Sequence, residues 1–169
     1  MTEETTIRPP QFSAEHFMRL ALKQAEEGAR HGEVPVGAVV TYQNRVIARA
    51  YNQVEMLKDG TAHAEMLALT QASAAIHDWR LNQCTLYVTK EPCVMCAGAM
   101  VNCRLGTLYY GCSDPRMGGA GGALSVTAFP GMLHHVQTHG GLLAEPSAAI
   151  LQDFFKQRRR IQKGFHKDE

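Results

Sequence analysis

The stretch Glu91-Pro92-Cys93-Val94-Met95-Cys96 constrains this chain more than any other. Two cysteines three apart, directly after a proline, predict a helix start that carries two metal thiolates. Residues i and i+3 share one helix face, so both sulfurs can reach one ion. Proline suits the first helical position, where its missing N–H costs nothing. The positive end of a helix favours the thiolate, which is the form that binds metal. Two soft ligands suit zinc but do not complete a site. Thr61-Ala62-His63-Ala64-Glu65 offers His63 as a third ligand and Glu65 as a nearby carboxylate. One His and two Cys leave a tetrahedral position open, the arrangement of a catalytic zinc. His63 and Glu65 are only two apart and would diverge in mid-helix, so His63 must sit at the first turn of its helix.

A lone C-x-x-C also suits a redox pair or half of a structural zinc site. A structural site needs a fourth ligand, and Cys84, Cys103 and Cys112 form no second C-x-x-C. A disulfide framework is not expected, since the cysteines number five and 169 residues suffice for a hydrophobic core. The length suits a single domain spanning residues 1–169, and 45% hydrophobic residues is ordinary for a globular chain. No leader is read at the start and no stretch is apolar for long enough to span a membrane. A reduced cytoplasmic protein is therefore expected. The net charge of +1 says little about nucleic acid, so the distribution of charge matters more.

Residues 1–12 are expected to fray. Ser13 is a good N-cap for a helix from Ala14 to about Arg30, with Phe17, Leu20, Ala21, Gln24 and Ala25 at helical spacing. Val36–Thr41 and Val46–Ala50 read as a hairpin around Gln43-Asn44-Arg45. Asn52 follows directly, where an amide at a strand end either lines a pocket or forms a turn. Met56–Gly60 reads as loop and Thr61–Ala75 as a helix. Thr85–Thr89 and Leu105–Gly111 read as strands flanking the Cys93 helix, a βαβ unit with a parallel pair. The loop from Cys112 to Gly122 holds Gly118, Gly119, Gly121 and Gly122, too many for a packed element, and is expected to be mobile. Val136–Thr138 is a short strand, and a last helix runs from Ala144 to about Lys163. Lys156, Arg158, Arg159, Arg160 and Lys163 cluster there beside Phe154 and Phe155. Cations at a helix C-terminus favour the dipole, but this density also suits phosphates with a base stacked nearby. The order of elements fits a three-layer α/β/α sandwich, a mixed five-stranded sheet with helices on both faces.

H-x-E followed by P-C-x-x-C is the pattern of zinc-dependent deaminases. With it come EVPVGAV from Glu33 to Val39, Tyr51-Asn52, TLYVTKEPCVMCAGAM from Thr85 to Met100, SDPRMGGAGG from Ser113 to Gly122, and FFKQRRR from Phe154 to Arg160. On these residues the chain resembles the cytidine/deoxycytidylate deaminase family, and within it most the bacterial tRNA-specific adenosine deaminases, over nearly its whole length. The resemblance implies the cytidine deaminase-like fold. It implies one zinc per subunit and hydrolytic deamination of adenosine to inosine at the wobble position of a tRNA anticodon. Zinc-activated water would attack the base, with Glu65 as proton shuttle. It also implies target contacts from Asn52, the Ala64 N–H, the Pro92 carbonyl and Asp114. RNA contacts are expected from Phe154, Phe155, Lys156, Arg158 and Arg159, with an anticodon stem-loop as partner and a homodimer as the assembly. Two positions depart from the family's usual pattern: Lys90 stands where an apolar residue is common, and Gly122 where serine is common. A free-base or nucleoside deaminase would keep the zinc core without needing the basic helix. A zinc-stabilised RNA-binding module would need neither Glu65 nor an open coordination position.

Overall fold

The computed structural model describes residues 11–165, with side chains through residue 163. The expected fraying of residues 1–10 lies outside them. Phe12 is not frayed: its N–H donates to Asn44 Oδ1 (2.7 Å) and its carbonyl accepts from Asn44 Nδ2 (3.0 Å).

Helix α1 spans Ala14–Arg30, and the Ser13 side chain caps it by accepting from the His16 N–H. Its buried face runs through Phe17, Met18, Ala21, Leu22, Ala25 and Gly28. That face is rotated from the expected one, so Leu20 and Gln24 are only half-buried. Strands β1 (Gly37–Tyr42) and β2 (Arg45–Tyr51) form the hairpin. Gln43 and Asn44 both take positive φ (49° and 59°), the two-residue turn that matches the twist of the flanking strands.

The expected loop at Met56 begins instead as a helical turn, α2 (Val54–Leu57). The cause lies elsewhere in the chain. Glu33, buried, accepts from the Glu55 and Met56 N–H groups and so completes the first turn.

Helix α3 spans Ala64–Ile76, strand β3 Cys84–Lys90, helix α4 Val94–Asn102 and strand β4 Thr107–Cys112. Strand β5 (Gln137–His139) and helix α5 (Ala144–Phe165) complete the chain. The sheet order is β2-β1-β3-β4-β5. β1 is antiparallel to β2 and β3, while β3–β4 and β4–β5 are parallel.

The central strands β1 and β3 are buried on both faces. Ala38, Val40, Leu86 and Val88 face α3 and α4 together with Ala68, Leu69, Met100 and Val101. The intervening Val39 and Tyr87 face Phe17, Met18 and Ala21 of α1. Period-two alternation thus fills two apolar layers, and the strands read as near-continuous hydrophobic runs. Helix α5 packs on β3, β4 and α1. No helix among the described residues is long and apolar enough to cross a membrane.

Candidate active site

The starts of α3 and α4 lie side by side on one face of the sheet. His63 is the N-cap of α3 (φ −74°, ψ 150°) and Cys93 the N-cap of α4 (φ −68°, ψ 173°). His63 therefore sits outside the helix in extended backbone, as its spacing from Glu65 requires. Pro92 precedes the cap and does not occupy the first helical position expected for it. Cys93 is likewise a cap residue, so the two sulfurs converge from a cap and the first turn.

His63 Nδ1 lies 3.6 Å from Cys93 Sγ and 3.4 Å from Cys96 Sγ. Bond lengths of ~2.3 Å to sulfur and ~2.0 Å to nitrogen in a tetrahedral zinc site imply an S···N separation of about 3.5 Å. The donor set therefore fits zinc in element and in spacing. Among the described residues it is the one group of three or more His, Cys, Asp or Glu whose ligand atoms come this close. Hydrogen bonding from Cys96 holds the Cys93 thiol down to about 3, while Cys96 is pushed up by the same bond and by burial. The bond to Cys93 raises His63.

Glu65, in the first turn of α3, is 4% exposed, and burial pushes its carboxyl above the usual range. A carboxyl raised above its ordinary value is a better proton acceptor and can still return the proton. Glu65 and His63 line a cleft of about 440 Å³ with Asn52, Lys90, Phe155 and Arg158.

Several expected contacts are differently engaged. Asn52 Oδ1 accepts from the Ala64 N–H at 2.8 Å, which fixes the amide orientation, because an N–H requires an acceptor. The Ala64 N–H expected to meet the base is thus already used, and it ties the start of α3 to the end of β2. Asn52 Nδ2 has no partner among the described residues and remains for the cleft. The Pro92 carbonyl accepts from the Gly119 N–H at 2.8 Å.

Asp114 is occupied on both oxygens. Oδ1 accepts from the Arg116 and Met117 N–H groups (3.0 Å each), and Oδ2 pairs with Lys90 Nζ. Burial raises its carboxyl, but Lys90 and the two N–H groups outweigh this and hold it below the usual range. Asp114 therefore organises its own loop. Lys90, the departure from the family pattern, is its partner.

Phe154 is 9% exposed, and the Arg158 guanidinium lies 5.1 Å above its ring. It packs, and only Phe155, 41% exposed, can offer a ring to a base. Arg158 also donates to the Gly32 carbonyl at 3.2 Å, bridging α5 to the loop before β1. Lys156 and Arg159 are exposed and line a groove that continues from the cleft past Leu151 and Phe155. Two buried acids, Glu33 and Glu91, were not among the expected site residues. Their signal is a carboxylate at the start of a proline-bearing apolar stretch (Glu33-Val34-Pro35 and Glu91-Pro92), a position that burial makes costly without partners.

A His and two Cys at paired helix starts, with a buried carboxylate beside them in a cleft of an α/β/α sandwich, are the arrangement of a hydrolytic deaminase and fit a zinc ion. The pattern of MafB19-like deaminases matches residues 12–159. A tRNA-specific adenosine deaminase of Streptococcus pyogenes is 40% identical over 148 residues, covering 88% of this chain and 93% of the relative. A solved tRNA:A34 deaminase, studied for A-to-I editing at the wobble position of transfer RNA, is 42% identical with a TM-score of 0.78. It is matched over 80% of this chain and 99% of that one. A guanine deaminase from Nitrosomonas europaea, 23% identical with a TM-score of 0.74 over 88% of each chain, shares the fold. The chain belongs to the MafB19-like deaminases and, among them, to the family of tRNA-specific adenosine deaminases.

Proposed function

We propose that this chain deaminates adenosine to inosine hydrolytically at the wobble position of a tRNA anticodon, with zinc held by His63, Cys93 and Cys96. The observation that carries the reading is the convergence of those three donors beside buried Glu65 in one cleft. Zinc, when bound, supplies a water acidified to about pKa 7 and hence a nucleophile near neutral pH. Glu65 takes the proton as water oxygen bonds to the purine carbon that bears the amino group. It delivers that proton to the ring nitrogen, then carries the remaining proton of the added hydroxyl to the amino group, so that the C–N bond breaks, ammonia leaves and the carbonyl forms. Asn52 Nδ2 orients the base, and the walls of the cleft keep bulk water away from it. Phe155 stacks near the target while Lys156, Arg158 and Arg159 hold phosphates, a wet and salt-dependent contact. An unpaired loop adenosine suits such a cleft, because it enters with little unpairing cost.

The deciding experiment offers an anticodon stem-loop RNA with a wobble adenosine, beside free adenosine, cytidine and guanine. Inosine is expected in the RNA alone. Arg158→Ala is expected to raise KM for that RNA about tenfold and to lower the salt slope of binding by about one. Turnover of a free base or nucleoside in place of the RNA would sink the tRNA reading and leave a salvage deaminase.

The protein acts as a homodimer in this reading. Support comes from the segment between β4 and β5, where Met117, Leu124, Phe129, Met132 and Leu133 all expose large apolar side chains, Leu133 at 89%. Sedimentation at micromolar concentration is expected to give a dimer, and a persistent monomer would contradict it. The cytoplasm, where tRNA and reduced thiols coexist, is the proposed compartment; cell fractionation tests it.

A further inference from the structure

Glu91 belongs to the E-P-C motif, yet the reaction as derived gives it no step. It is 1% exposed. Its Oε2 accepts from Ser113 Oγ (3.0 Å) and the Asp114 N–H (2.7 Å). Its Oε1 accepts from the N–H groups of Ala120 (3.1 Å) and Gly122 (2.7 Å). All four donors belong to the loop between Cys112 and Gly122, which was expected to be mobile. Four donors on two oxygens is a pattern met by an acceptor-only carboxylate. The fit is close: a Cβ at Gly122 would collide with the Glu91 carboxylate and the Asp114 carbonyl. That collision accounts for glycine where the family commonly has serine only if the loop wraps the carboxylate this tightly here.

We propose that Glu91 is a positioning residue whose carboxylate holds the 113–122 loop as a preformed brace behind the cleft edge that Lys90 and Cys93 line. One half of the loop carries Asp114 and, through it, fixes Lys90 at the cleft edge. The other half braces the metal-site helix, because Gly118 pairs with Cys93 and the Gly119 N–H bonds the Pro92 carbonyl. With a loose glycine-dense segment, Lys90 and the start of α4 would be ordered only when substrate arrives, and that ordering would weaken binding. Holding the loop in place beforehand keeps Lys90 and the Cys93 cap, which line the cleft, in position for the substrate.

The inference rests on the cleft being the RNA adenosine site, and the test separates the two. Glu91→Gln keeps the shape but puts an NH2 on one side. The NH2 is tolerated beside Ser113, whose hydroxyl can turn to accept, but not by the Asp114 N–H. The variant should keep the Ala120 and Gly122 bonds and lose the Asp114 bond. In the wild type the amides of Asp114, Ala120 and Gly122 are expected to exchange on the order of a hundredfold slower than unstructured chain. In Glu91→Gln, protection at Asp114 alone should fall at least about tenfold. For the stem-loop RNA, KM should rise about tenfold with kcat within about twofold and zinc content unchanged. Unprotected loop amides in the wild type would overturn the proposal, and that arm needs no variant to fold. So would unchanged Asp114 protection in Glu91→Gln, or a uniform loss of protection across all elements with kcat falling as far as KM rises. If the wild type leaves the stem-loop RNA unchanged, the functional reading falls while the exchange data still decide the clamp.

Discussion

Glu65→Gln is expected to lower kcat by about a thousandfold while zinc content and RNA affinity stay near the wild-type values. The argument starts from burial. Glu65 is 4% exposed, and burial raises its carboxyl, so the native chain keeps a desolvated acid in its core. Glutamine has nearly the same shape and needs no ionisation, so the variant should fold with an unchanged or slightly higher Tm. It lacks the one capacity the reaction needs: it cannot accept a proton from water and return it to the ring. KM should therefore move little, because the lost interaction exists in the transition state and not in the ground state. Turnover within about tenfold of wild type would show that another group carries the proton. A variant that lost zinc together with activity would instead make Glu65 a support of the metal site. The same variant tests the binding-module alternative, since a protein that only binds RNA would be indifferent to this change.

The site is more legible in the sequence than its wiring. His63, Cys93, Cys96 and Glu65 stand out because ligand and proton chemistry admits few residue types, and their spacing forces them to helix starts. The strands are legible for a similar reason: Val39, Val40, Leu86 and Val88 alternate between two apolar layers. Hydrogen-bond partners between residues far apart in sequence are not legible. Nothing near Ala64 says that Asn52, twelve residues earlier, accepts from its N–H. Nothing near Gly122 says that Glu91 anchors it, so glycine content alone suggests a mobile loop where a buried carboxylate holds an ordered one. Phe154 and Phe155 are indistinguishable as letters. Only the seat of α5 on the sheet buries the first under Arg158 and leaves the second at the cleft.

Cys96→Ser is expected to abolish turnover and zinc retention and to lower Tm by roughly 10 °C. Cys96 is fully buried in the first turn of α4, within reach of both other donors. Serine removes the soft ligand and leaves a hydroxyl in a site shaped for sulfur. Most of the stability loss should come from the metal. An ion that binds the folded chain alone and is present at about a thousand times its dissociation constant contributes about 4 kcal/mol. In a chain of this length that corresponds to roughly 10 °C in Tm. The ion and the variant therefore act on one quantity, and their effects should not add. Chelation of the wild type should reproduce the Tm of Cys96→Ser, and chelation of the variant should change nothing further. Restoring zinc should recover wild-type Tm and activity and recover neither in the variant. If the chelated wild type keeps both its Tm and its turnover, the His63, Cys93 and Cys96 donors hold no structural or catalytic ion. The close approach of His63 to the two sulfurs would then be a packed thiol pair beside an imidazole, and the hydrolytic mechanism would need a different source for its nucleophile.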